Sequence, residues 1–169
     1  MITPKQLADG FALNTHIIQR QTQDLSHAES LTQAPYNINS MNWVLGHIAV
    51  NRDRVLALLG EARLLTGSEK DRYETGSEPV RADGEAVIPL ERLLEIINQG
   101  QEHISEALPR QTPEELETEI QVDGHDTTVG ARLYGLYFHD TYHTGQTDLL
   151  RQSDQELDFR VPFAILYLR

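Results

Sequence analysis

Apolar residues recur at three- and four-residue spacing in four separate segments, and that period commits the chain to helices packed side by side. The first segment opens with Thr3-Pro4, an N-cap followed by proline at the first helical position, where a missing N–H costs nothing. Leu7, Phe11, Ile18 and Leu25 mark its inner line together with Asn14 and Gln21, and a helix is expected over 4–28. Gly10 weakens it by about 1 kcal/mol relative to alanine without interrupting the stripe. The second helix is expected from just after Ser40 to Gly60, a C′ glycine. Met41, Val44, Ile48, Val55 and Leu58 lie on its inner face, with His47 and Asn51 on the same side, one turn apart. The third runs from Pro89 to Leu108, is stopped by Pro109, and carries Leu90, Leu93, Leu94, Ile97, Ile104 and Leu108. The fourth, about 128–152, repeats Val129, Leu136, His143 and Leu150 at intervals of seven, with Leu133, His139 and Gln146 between them.

What joins these helices decides their arrangement. Residues 60–88 form a polar stretch too long for a tight turn between antiparallel neighbours, and a long crossover explains it better than disorder does. Thr112-Pro113-Glu114-Glu115 spells a capping box for one short turn of helix. TEIQVDGHDTT alternates weakly around Asp123-Gly124, as a small hairpin would. The apolar tail FRVPFAILYLR is expected to dock on the bundle or on a partner. With no internal repeat or low-complexity tract, the expectation is all-α: one four-helix-bundle domain over 1–169. It has a long crossover between the second and third helices and a small hairpin before the fourth.

Charge narrows the function classes. There are 26 acidic residues against 14 basic, a net charge of −12. Such a field repels phosphate backbones and anionic lipid, so neither nucleic-acid nor membrane binding is expected. The longest apolar run near the C-terminus, FAILYL, is far too short to span a bilayer. The start, MITPKQLADG, lacks the charged and apolar regions of a secretory signal, and a cytoplasmic location is expected. Cysteine is absent, which removes disulfides, thiolate metal sites and a cysteine nucleophile.

The chemistry concentrates in two of the seven histidines. His16, His27, His103 and His125 sit among polar neighbours and are expected to be ordinary surface or capping residues. His139 and His143 are four apart on one helix face, a spacing at which two imidazoles can share one metal. They also lie in the line that packs inward, where they need either hydrogen-bond partners or a cation. The pair alone leaves both readings open. His47, on the inner face of the second helix beside Trp43 and Asn51, offers a third imidazole. Three neutral imidazoles leave positions for water or substrate, as catalytic rather than structural sites do. HDTYH invites comparison with the HExxH helix of zinc proteases. Asp140 is one methylene shorter than the glutamate there, however, and no histidine follows His143, so a protease is not expected.

Two pieces, NWVLGHIAVNRDRVL around His47 and HDTYHTGQTDLLRQ near the C-terminus, resemble the DinB/YfiT-like superfamily of metalloenzymes, the damage-inducible four-helix family rather than the polymerase. That resemblance implies a bundle whose helices are not in simple up-down order, with a divalent metal on His47, His139 and His143. Gln146 matches the family's Gly-Gln pair and would support His143 from one turn below. Characterised members are similar to transferases and isomerases that use bacillithiol, mycothiol or glutathione, and such proteins commonly pair as homodimers.

A cation on neutral imidazoles keeps its charge and acidifies a bound thiol or water. The expectation is therefore a metal-dependent transferase acting on a small-molecule electrophile with an exogenous thiol. Nickel or zinc would serve, or else iron or manganese. Asn51 and Tyr142 are the candidate hydrogen-bond donors to the incoming group. Arg52, Arg54, Lys70 and Arg132 are the cations that could meet a carboxylate-bearing thiol, although each reads more simply as a solvated charge. A stress protein that holds a metal or small ligand without turnover, and a metal-dependent hydrolase, would use the same ligands.

Overall fold

The computed structural model describes residues 2–33 and 39–154, so the expected docking of the tail lies outside the described residues. Helix α1, Pro4–Gln21, starts at Thr3, whose side chain accepts the Gln6 N–H while Gln6 reaches back to the Thr3 N–H. It does not run to residue 28 as expected. Asp24 turns the chain at φ 60, and Ser26 with Glu29 forms a second capping box that starts a separate short helix, α2, His27–Ser30. A capping box begins a helix, and Ser26-His27-Ala28-Glu29 is therefore a break inside an otherwise continuous stripe.

Helix α3, Met41–Leu58, is capped by Ser40 and ended by Gly60 at φ 76. The crossover contains α4, Gly67–Arg72, and leads to α5, Leu90–Ala107. Pro89 has no side-chain cap to offer, and His27 Nδ1 instead accepts the Leu90 N–H at 3.2 Å. A 3₁₀ turn (Leu108–Arg110) and α6, Pro113–Leu116, follow. The hairpin is present as expected. Strands β1, Glu119–Val122, and β2, His125–Thr128, pair antiparallel with Val122 opposite His125. Asp123 and Gly124 both take positive φ between them, as a two-residue type I′ turn requires. Helix α7, Val129–Asp154, closes the described chain.

Side-chain pairings fix the direction of each long helix. Thr15 meets Gln101 and Gln19 meets Asn98, so α1 and α5 are antiparallel. Asn14 meets Asp140 and Gln21 meets Asp148, so α1 and α7 are parallel. Asn42 bonds the Ile88 carbonyl and Arg52 the Ile97 carbonyl, which makes α3 and α5 parallel. The order around the bundle is α1, α5, α3, α7, and the path is up-down-down-up. Two parallel neighbours in sequence require the chain to travel back along the bundle between them, which is the physical reason for the long crossover.

That crossover also buries α3. Tyr73 and Val80 pack fully buried against its N-terminal half, in a core with Val44, Ile48, Leu93 and Ile97. A Cβ at Gly46 would stand 2.1 Å from the Tyr73 ring, so only glycine lets the crossover lie this close. At the opposite end Phe11, Leu56, Ile104, Leu108 and Leu133 form a second apolar cluster. Leu56 and Leu59 are buried there, while Leu58, expected on the inner face, is only half-buried.

Among these core residues lies a buried polar network. Arg52 is 1% exposed rather than a solvated charge. Its Nε donates to Asp140 Oδ2 at 2.9 Å and its Nη2 to Oδ1 at 3.2 Å. Nη1 donates to Thr15 Oγ1 and the Ile97 carbonyl, and Asn14 Nδ2 donates to Asp140 at 2.8 Å. Breaking a buried pair strands a charge. Asp140→Ala is expected to lower unfolding free energy by about 3–5 kcal/mol in chemical denaturation. Asp9→Ala, which breaks the exposed pair with Lys5, is expected to cost less than about 1 kcal/mol.

Candidate metal centre

His47 on α3 and His139 and His143 on α7 are brought together by the antiparallel packing of those helices. Their ligand atoms all lie within 4.8 Å of one another, and the three could hold a metal ion. His139 Nε2 stands 3.2 Å from His47 Nε2 and 3.1 Å from His143 Nε2. Two nitrogens bound at about 2.0–2.1 Å to one ion are about 2.9–3.4 Å apart for angles between square and tetrahedral. The observed spacings fall in that span.

Hydrogen positions sharpen the fit. His47 Nδ1 lies 2.7 Å from the Tyr73 carbonyl oxygen, and His143 Nδ1 lies 2.7 Å from Gln146 Oε1. Both partners only accept, so both rings carry their hydrogen on Nδ1 and present bare Nε2 lone pairs. These converge on His139, whose single hydrogen can satisfy at most one of them. His139 Nδ1 is itself buried without a partner among the described residues. A cation would satisfy all three Nε2 atoms at once. An acceptor on the far nitrogen, as at His47 and His143 but not at His139, is how protein metal sites orient imidazole.

The surroundings explain each ring's position. Trp43 stacks on His47 at 4.8 Å between centroids and 14° between planes, and its Nε1–H is tied to Ser77 Oγ in the crossover. Tyr73 donates its hydroxyl hydrogen to Asn42 and accepts the Ile88 N–H, which pins the segment whose carbonyl holds His47. Neither Tyr73 nor the crossover carries a sequence signal for this, because the contact is made through a backbone oxygen. Asn51 is buried beside His47: its Nδ2 donates to the His47 carbonyl at 2.8 Å and lies 3.3 Å from His47 Nε2, while its Oδ1 accepts from Arg54. Tyr142 stands exposed at the rim with its ring edge-on to His143. Asp140, between the two α7 histidines in sequence, is committed to Arg52 and Asn14. His27 and His103 pair with Leu90 and Glu61 away from the centre.

The three rings border a cleft of about 510 Å³ that is also lined by Trp43, Tyr142, Gln146 and Leu149. Burial disfavours the imidazolium form of all three, and His139, further opposed by the other two histidines, is pushed down to about 4. The site is therefore a set of neutral imidazoles at neutral pH, ready for a cation.

An up-down-down-up helical bundle with a three-histidine cluster facing a cleft defines the class. A family profile described as the DinB superfamily matches residues 14–147, and the chain belongs to that superfamily. A solved structure described as a conserved protein from Enterococcus faecalis is similar to it with a TM-score of 0.70 and 17% identity. The match covers 90% of this chain and 97% of the other, a likeness of fold. No curated protein sequence matches the chain.

The depressed His139 sets a pH dependence. In the unfolded chain this imidazole titrates near 6.5, and in the metal-free fold at about 4. Stability is full above 6.5 and drains away as pH falls from 6.5 toward 4, because only the unfolded chain takes up the proton there. His139→Leu is expected to flatten that part of the metal-free protein's melting-temperature profile. Parallel profiles for the two proteins between those pH values would count against the assignment.

Proposed function

We propose that this chain is a divalent-metal-dependent enzyme in which His47, His139 and His143 hold one ion beside a cleft that admits a small molecule. The observation that carries this reading is the convergence of three Nε2 atoms, two of them stripped of hydrogen by acceptors on the far side of their rings. Nickel or zinc suits three imidazoles best in the absence of thiolate, with iron or manganese next. When bound, such an ion lowers the pKa of a coordinated thiol or water toward neutrality. With no cysteine in the chain, the thiol is exogenous. The reaction is read as transfer of a low-molecular-weight thiol: its sulfur forms a bond to an electrophilic carbon, the leaving group departs with the bonding pair, and the thiol proton goes to solvent.

The chain's own residues prepare that step. The Tyr73 carbonyl and Gln146 Oε1 keep the hydrogens of His47 and His143 on Nδ1. Asn51, beside His47, and Tyr142, at the rim, are the proposed hydrogen-bond donors to the incoming group. Untagged protein is expected to contain one ion per chain by elemental analysis. His143→Ala is expected to lose it and His125→Ala, in the exposed hairpin, to keep it. Equal metal in the two variants overturns the site. Turnover is expected only with metal, thiol and electrophile together. Ester or amide turnover without thiol would establish a hydrolase. Metal retention with no turnover across thiols and electrophiles would establish an ion-holding protein.

We also propose that the chain acts as a homodimer through the outward face of α7. Tyr134, Phe138, Tyr142 and Leu149 are exposed along it. About residue 140, Phe138 mirrors Tyr142, Gly135 mirrors Gly145 and Ala131 mirrors Leu149, so a second copy placed on a two-fold axis sets aromatic rings and open glycines in matching positions. Light scattering is expected to give a dimer mass that Phe138→Glu reduces to a monomer. A wild-type monomer at every concentration would overturn this.

A further inference from the structure

The cleft over the three histidines has a feature that the ligand set does not require. Among the described residues, no lysine, arginine, aspartate or glutamate lines it. Its wall is apolar at Pro79, Leu149 and Leu150, and neutral but hydrogen-bonding at Asn39, Thr75 and Gln146. In a chain of net charge −12 with 24% charged residues, an uncharged lining stands apart from the overall composition.

Four cations near the centre are used elsewhere. Arg52 is spent on Asp140, and Arg54 and Lys70 both hold Glu74. Arg72 lies over the Tyr73 ring and donates to the Glu78 and Pro79 carbonyls. Away from any ion on the histidines, a carboxylate entering this cleft would leave water without a side-chain cation among the described residues to receive it, against the field of an acidic protein. An ammonium group would find no carboxylate and would sit beside a site built for a cation. Neutral amides and hydroxyls, by contrast, meet partners that both donate and accept. Gln146 turns its Oε1 to His143, which leaves its amide hydrogens for a ligand's carbonyl.

We propose that the walls of the cleft, apart from any ion held by the histidines, select uncharged ligands: an apolar or aromatic body carrying neutral acceptor groups such as amides, in preference to free carboxylates and amines. This deepens the metal-enzyme reading and rests on it only for the use made of the ligand.

The test uses benzamide, benzoate and benzylamine, one ring with a neutral, an anionic and a cationic substituent. Each is titrated into full-length protein stripped of metal by a chelator and followed by NMR shifts. Benzamide is expected to bind about tenfold or more tightly than either ion, a difference of about 1.4 kcal/mol, with shifts at Asn39, Leu149 and Leu150. Thr75→Lys places a cation at an exposed position of the lining and is expected to move the preference toward benzoate. Wild-type binding of either ion as tight as benzamide, or no benzamide binding, overturns the proposal. Metal content is measured separately. Benzamide selectivity in a protein that takes up no ion overturns the metal-enzyme reading alone, and a charged preference in a protein that holds its ion overturns this inference alone.

Discussion

The buried pairing of Arg52 with Asp140 joins all four long helices, and the geometry of the three-histidine cluster depends on it. The guanidinium leaves α3, reaches the α7 carboxylate, and spends its remaining hydrogens on α1 and α5. Asp140 immediately follows His139, and Arg52 stands a turn and a half beyond His47. Locking the one pair therefore sets the axial position of α7 against α3. Apolar contacts alone tolerate sliding, since one leucine can replace another in a groove. A charge pair that must be fully bonded has one position in which it is satisfied.

A division of labour follows along α7. Within HDTYH, the two histidines face the cleft edge of the helix while the aspartate faces its buried side. Side chains one residue apart on a helix point about 100° away from each other. The carboxylate that might have served as a base in a protease-like helix is instead the anchor that holds its neighbours in place. The crossover plays a corresponding part for α3, pressing the Tyr73 ring against Gly46 and presenting its carbonyl to His47.

Much of this was legible in the sequence, for reasons that can be named. The stripes of α5 and α7 carry the helical period because one face of each packs inward, whereas α3 is buried on every side from Met41 to Asp53; the hairpin turn is written in Asp123-Gly124. His139 and His143 announce themselves by their spacing. The break after Gln21 was legible in Ser26 and Glu29 but was overridden by a stripe that continues to Leu25. Arg52 was not legible as a buried charge, because its partner lies 88 positions away and nothing local distinguishes it from Arg54, two positions on, which stays partly exposed. Nor was Tyr73, whose contribution to the site is a backbone oxygen that any residue could supply.

The parallel course of α3 and α5 also governs when the site can exist. His47 leaves the ribosome 92 residues ahead of His139, and the crossover, α5 and the hairpin must all be synthesised between them. A nascent chain therefore offers a lone imidazole, too weak to retain an ion, until α7 has emerged and docked. A cation that needs all three imidazoles could therefore be captured only after α7 has docked.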